Sequence, residues 1–133
     1  MTTSVTAVLP AKPRVLVVDD HELVRDGIAG LLGDRWDVCG EAGNGVEAIE
    51  KVRELKPDLV LLDLSMPVMS GTEAAKAIRA AMPHIKIVFI SIHDSPTVVE
   101  LVTIAGADGF VSKHCHASEF REAIADLLRM SAL

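Results

Sequence analysis

The sequence predicts an α/β protein built as (βα)5, a doubly wound, five-stranded parallel sheet with helices on both faces. Two unbroken apolar runs, Val15–Val18 and Leu59–Leu62, have strand length and no polar alternation, the pattern of strands buried on both faces. Strand-like and helix-like patterns alternate five times with short links, which implies right-handed crossovers and a parallel sheet. Both runs end in carboxylates, Asp19 and Asp20 after the first and Asp63 after the second. Acids so placed collect at the sheet edge where open α/β folds bind ligands.

The elements follow in order. Residues 1–12 read as a flexible tail ending near Pro10 and Pro13, and residues 13–133 as one domain. Arg14–Val18 is the first strand, and Leu23, Ile28, Leu31 and Leu32 fall at helical spacing up to Gly33-Asp34. Asp37–Ala42 reads as an edge strand. After Asn44-Gly45, the stripe Val46, Ile49, Val52 and Leu55 predicts a helix that stops at Lys56-Pro57. Asp58–Leu62 is the next strand, followed by a loop and a helix from Thr72 to Met82, ended by Pro83. Lys86–Ile90 is a strand; Ser95-Pro96 then supplies a cap and a first-turn proline for a helix ending at Gly106. Gly109–Ser112 is a short strand and Ala117–Met130 a closing amphipathic helix.

Composition narrows the class. A chain of 133 residues, half of them hydrophobic and 24% charged, is long enough for one full core and too apolar for general disorder. A net charge of −6 argues against nucleic-acid binding by this chain alone. Cys39 and Cys115 make no disulfide framework, the N-terminal stretch has no basic region for a signal peptide, and no apolar run has membrane-spanning length. The expectation is a cytoplasmic protein without a membrane partner.

Three carboxylates meeting at one edge repel one another unless a cation sits among them. The sequence therefore predicts a pocket for a hard divalent ion beside a reactive aspartate.

Four segments in order carry a resemblance: Val15-Leu16-Val17-Val18-Asp19-Asp20-His21; Asp58 through Asp63 to Met66-Pro67 and Gly71; Ile90-Ser91; and Gly106-Ala107-Asp108-Gly109-Phe110-Val111-Ser112-Lys113. From Arg14 to Arg129 the chain resembles the receiver domain of two-component response regulators, and Asp19 through Gly27 resembles the NarL/FixJ (LuxR-type) branch in particular. The resemblance implies the flavodoxin-like strand order 2-1-3-4-5. It also implies a phosphorylation-activated switch in which Asp63 accepts a phosphoryl group from the phosphohistidine of a cognate sensor histidine kinase. A carboxylate can act as such a nucleophile when cations offset the charge on the phosphoryl oxygens. Mg2+, which prefers octahedral oxygen ligands and keeps several waters, would be held by Asp20 and Asp63 directly, by Asp19 largely through water, and by the backbone carbonyl of Ser65. Calcium or manganese fits the same ligands. Lys113 would pair with Asp63 and then with a phosphoryl oxygen. Ser91 would bond the phosphoryl group, and Phe110 would turn inward as that hydroxyl moves; simple core packing is the plain alternative for Phe110.

Two departures from the family pattern stand out. His114 follows Lys113 where many receivers have a proline in a cis peptide, so the loop is expected to be built differently or to carry strain. Ser65 and His93, two residues past Asp63 and Ser91, border the expected path of the hydrolytic water and should influence the lifetime of the phosphorylated state. His114-Cys115-His116 offers possible ligands, but its spacing favours a surface loop over a zinc site.

In the fourth predicted helix the polar residues Thr97, Glu100 and Thr103 form a narrow stripe and apolar residues occupy the rest. One apolar face suffices to pack on a sheet, so Val98, Leu101, Val102 and Ile104 are expected to form an exposed interface. In receivers the fourth helix, fifth strand and fifth helix control homodimerisation or effector output. NarL/FixJ regulators usually continue into a DNA-binding domain, which makes transcription regulation the expected output of a longer protein. A receiver cut from such a factor and a single-domain regulator both fit the sequence. Three other readings fit the sequence less well. A phosphate-independent receiver-like interaction module runs against the complete Asp, Ser and Lys set. An aspartyl-phosphate phosphotransferase or phosphatase of haloacid-dehalogenase type would need a second aspartate where Ser65 stands. A flavodoxin-like nucleotide or flavin binder would need a glycine-rich loop after the first strand. The expectation is that the chain is no enzyme beyond assisting its own phosphorylation and dephosphorylation.

Overall fold

The computed structural model describes residues 12–66, 68–92 and 95–131. The expected tail, apart from Lys12, lies outside the described residues, as does His93. Five parallel strands, β1 (Arg14–Val18), β2 (Asp37–Ala42), β3 (Leu59–Asp63), β4 (Lys86–Ser91) and β5 (Gly109–Ser112), form one sheet in the order β2-β1-β3-β4-β5. The helices are α1 (Glu22–Leu32), α2 (Gly45–Leu55), α3 (Gly71–Ala81), α4 (Pro96–Ile104) and α5 (Ala117–Ser131). The expected order 2-1-3-4-5 is the observed one.

Side-chain alternation along the central strands divides the core in two. Leu16, Val18, Val60, Leu62, Ile87 and Phe89 pack under α2, α3 and α4, whose Val52, Ile78 and Val102 meet them. Val15, Val17, Leu59, Leu61, Val88 and Ile90 pack under α1 and α5, against Ile28, Leu32, Phe120 and Ile124. Strands covered on both sides need apolar residues at every position, which explains the unbroken runs.

Local chemistry sets the helix starts. Asn44 accepts a hydrogen bond from Glu47 N at 2.9 Å to cap α2. Ser70 and Glu73 form a reciprocal capping box on α3, and Ser95 caps α4 ahead of Pro96. The first turn of α3 also needs a bare Cα: a Cβ at Gly71 would lie 2.4 Å from the carbonyl oxygen of Asp63. That close approach seats the helix against the end of β3.

Several boundaries differ from the sequence expectation. Asp63 lies inside β3, paired with Ile90. The fourth helix stops at Ile104, and Gly106 takes φ +86 in the turn beyond it. A 3-10 turn, Gly33–Arg35, follows α1. Between β1 and β2 the register slips, so that Val15 pairs with Val38 and Leu16 with Gly40; Cys39 is the bulged residue.

The apolar excess on α4 is only partly exposed. Val99, Leu101 and Ile104 are 41%, 51% and 71% exposed, beside Ile92 at 54%. Val102, expected on the interface, belongs instead to the core at 2% exposure, and Val98 is half-buried. Val102 and Ala105 lie three apart on the same turn of helix, and together they face the sheet. No helix among the described residues is long and apolar enough to cross a membrane.

Candidate functional site

Four strand ends build the site. The β1 end delivers Asp19 and Asp20, the β3 end Asp63, and the β4 end Ser91; Lys113 directly follows β5. Parallel strands bring these carboxyl ends to one edge, although the residues span ninety-five positions of sequence. An open cleft of about 350 Å3 there is lined by His21, Asp63, Ser65, Ser91, Ile92 and Lys113, with Val24.

Asp19 is fully buried. Its Oδ1 accepts the His21 backbone N–H at 2.9 Å, and its Oδ2 accepts from Lys113 Nζ at 2.9 Å. Lys113 Nζ lies 3.4 Å from Asp63 Oδ1. The expected pairing of Lys113 with Asp63 is therefore shared, and the shorter contact is to Asp19. Asp63 is 6% exposed. Its burial, then the charge of Asp19, hold its carboxyl above the ordinary carboxylate range despite the opposing pull of Lys113. Burial alone would lower Lys113, but its bond to Asp19 and the charge of Asp63 outweigh that and raise it. Each carboxylate thus favours the charged lysine, while the acids disfavour one another.

Asp20 differs from its neighbour. Its Oδ1 is buried yet accepts no hydrogen bond, an arrangement that normally costs 1–3 kcal/mol or more (roughly, for a polar atom left unsatisfied). His21 Nδ1 stands 3.1 Å away without donating to it. Counting three carboxylates against the Lys113 ammonium leaves two negative charges. A buried oxygen without a partner, two uncompensated charges and three carboxylates at one edge fit a hard dication such as Mg2+. Both Asp19 oxygens already hold donors, which suits the outer, water-mediated position expected for it.

Ser91 is 4% exposed, and its carbonyl accepts the Lys113 backbone N–H at 2.8 Å, tying the β5 end to the β4 end. Phe110 pairs with Phe89 across β4 and β5 and packs, half-buried, against the core under α4. The Lys113–His114 peptide is trans. Ser112 builds the loop instead: its Oγ accepts from His114 N at 3.1 Å and its carbonyl from Cys115 N at 3.2 Å. His114 and His116 are exposed while Cys115 packs against the core. Among the described residues the cluster able to hold a metal is Asp19, Asp20 and His21.

Arg25 was missed by motif reasoning. From the first turns of α1 its Nη1 donates to the Asp19 carbonyl at 2.6 Å and its Nε to Glu41 Oε1 at 3.1 Å. It thus clamps the acidic loop to β2. The available signal was an arginine in the first turn of the helix that follows the acid pair, with an acid on the neighbouring strand.

This site and sheet define a class, and comparison with known proteins agrees. Residues 15–125 match the family model "Response regulator receiver domain", and the chain belongs to that family. The response regulator protein VraR of Staphylococcus saprophyticus is 42% identical over 113 residues, covering 84% of this chain and 54% of VraR. The chain therefore spans about half the length of the curated relatives it matches. Among solved structures, a two-component response regulator of the LuxR family from Aurantimonas sp. SI85-9A1 superposes with a TM-score of 0.85 at 32% identity, covering 90% of this chain and 86% of that one. The signal receiver domain of NarL from Mycobacterium tuberculosis gives 0.85 at 37%, covering 90% and 98%.

Proposed function

We propose that this receiver is a phosphorylation-activated switch whose phosphoacceptor is Asp63. A carboxylate oxygen of Asp63 attacks the phosphorus of a kinase phosphohistidine; the new O–P bond forms as the N–P bond breaks and the imidazole leaves. The observation that carries this reading is a buried carboxylate, facing an open cleft, with a lysine ammonium 3.4 Å away. Asp20 and Asp63, with the Ser65 carbonyl, would hold Mg2+, and Asp19 would orient its waters. When bound, that ion offsets charge on the phosphoryl oxygens. Lys113 offsets the same charge with its ammonium, and the Ser91 hydroxyl, at the cleft wall, donates to an oxygen of the transferred group. Motion of Ser91 toward the phosphoryl group frees space toward which Phe110 turns, and this biases the surface of α4, β5 and α5. The exposed Leu101 and Ile104, with half-buried Val98 at their margin, make that surface a candidate for homodimerisation in the cytoplasm. In a longer protein the output would be transcription regulation. The domain turns over no substrate beyond its own aspartyl phosphate.

Incubation with acetyl phosphate and Mg2+, followed by intact mass, tests the assignment. Wild type is expected to gain one phosphoryl group and Asp63→Asn none. Equal labelling of both proteins would move the acceptor elsewhere, and no labelling of wild type by either acetyl phosphate or a panel of phosphorylated kinases would overturn the switch.

A further inference from the structure

His21 sits where a helix cap belongs, but it does not cap. It precedes α1, and its imidazole makes no hydrogen bond to the helix. The ring turns instead toward the acids: Nδ1 is 3.1 Å from Asp20 Oδ1 and 3.4 Å from Asp19 Oδ1, and one ligand atom from each of the three residues lies within 4.8 Å of the others. A ring nitrogen and a carboxylate oxygen 3.1 Å apart are held together either by a proton on the ring or by a cation that both ligate. Neighbouring ligands of an octahedral ion with bonds of about 2.1 Å are separated by about 3.0 Å. The Asp20 Oδ1 to His21 Nδ1 spacing is therefore that of adjacent ligands on one ion. The side chain is otherwise largely exposed, at 71%, so packing does not explain its position.

We propose that His21 is a nitrogen ligand of the acidic-edge metal site, making it favour borderline transition-metal dications over what an all-oxygen site would accept. This rests on the metal-binding reading above. Imidazole adds little to Mg2+ binding but suits cobalt and nickel, which also stand above manganese in the usual affinity order. His21 is thus a selectivity residue, while Asp20 and Asp63 supply the charge common to all dications.

The test uses the untagged full chain, with Mg2+ and Co2+ titrated calorimetrically and Mn2+ as the spectroscopic probe. His21→Ala and His21→Asn, checked for native circular dichroism, are expected to lose about tenfold or more in Co2+ affinity and to change Mg2+ affinity less than about twofold. Pulsed electron paramagnetic resonance of bound Mn2+ should show a directly coordinated nitrogen in wild type, absent from both variants and displaced by excess Mg2+. Bound Mn2+ with no nitrogen coupling would overturn the role of His21 alone. Parallel losses for Co2+ and Mg2+ would do so too, since they identify a protonated imidazole that merely organises the acids. If neither Mg2+ nor Co2+ binds wild type, the metal site itself fails and this inference with it.

Discussion

Lys113→Met removes the ammonium that lies between Asp19 and Asp63 while keeping most of the aliphatic stem. At 2.9 Å and 3.4 Å, and at an effective dielectric of about 20, the gross attraction to each carboxylate is about 5 kcal/mol. Most of that is cancelled by desolvation, and the lysine side chain is 22% exposed, so the loss should fall below the roughly 3–5 kcal/mol seen when one partner of a fully buried pair is deleted. We expect about 2 kcal/mol, or about 8 °C in Tm for a domain of this size, measured by urea and thermal unfolding in EDTA. The same change leaves three carboxylates without their cation. Mg2+ should then bind the variant at least about tenfold more tightly, giving it a magnesium-dependent stabilisation about 1.4 kcal/mol larger than wild type shows. Phosphoryl acceptance should nonetheless fall. An unchanged midpoint in EDTA with an unchanged magnesium increment would refute the charge balance inferred for the site.

Three further outcomes follow from the geometry. Gly71→Ala drives a Cβ to 2.4 Å from the Asp63 carbonyl; it should destabilise by about 2 kcal/mol or more and slow phosphorylation, because α3 is pushed off the β3 end, and equal stability would show that the turn relaxes freely. Val102→Ala should cost about 2 kcal/mol in urea unfolding, whereas Ile104→Ala should stay within about 0.5 kcal/mol yet weaken beryllofluoride-induced self-association; the reverse ranking would mean the two faces of α4 are misassigned. Burial pushes the Cys39 thiol up; the charge of Arg14 opposes this to a smaller extent, and that of Asp37 adds to it. Its thiolate is scarcer than that of a free cysteine at about pH 8, so iodoacetamide should label it slowly there and faster as pH rises. Because the neutral thiol is the form the fold favours, this contribution to stability is complete below the ordinary thiol pKa and fades as alkaline pH ionises the unfolded chain.

The strand and helix succession is legible in the chain, because burial on two faces demands unbroken apolar runs and caps such as Asn44, Ser70 and Ser95 act on neighbours in sequence. The places of Asp19, Asp20 and Asp63 at the ends of apolar runs marked them as a carboxylate cluster, and the resemblance to receiver domains added Ser91 and Lys113. How those groups share charge emerges only from packing: Lys113 reaches Asp19 at the shorter distance, Asp20 Oδ1 is left without a donor, and Arg25 bridges to Glu41. Those contacts join residues far apart in the chain, and their distances depend on how parallel strands align at one edge. The same holds for α4, where a one-dimensional count of apolar residues does not say which arc meets the sheet, and where Val102 turned inward while Leu101 and Ile104 stayed at the surface. Periodicity identifies elements because it is local; the rotation of a helix against a sheet, and the charge balance of a pocket, exist only once the elements pack.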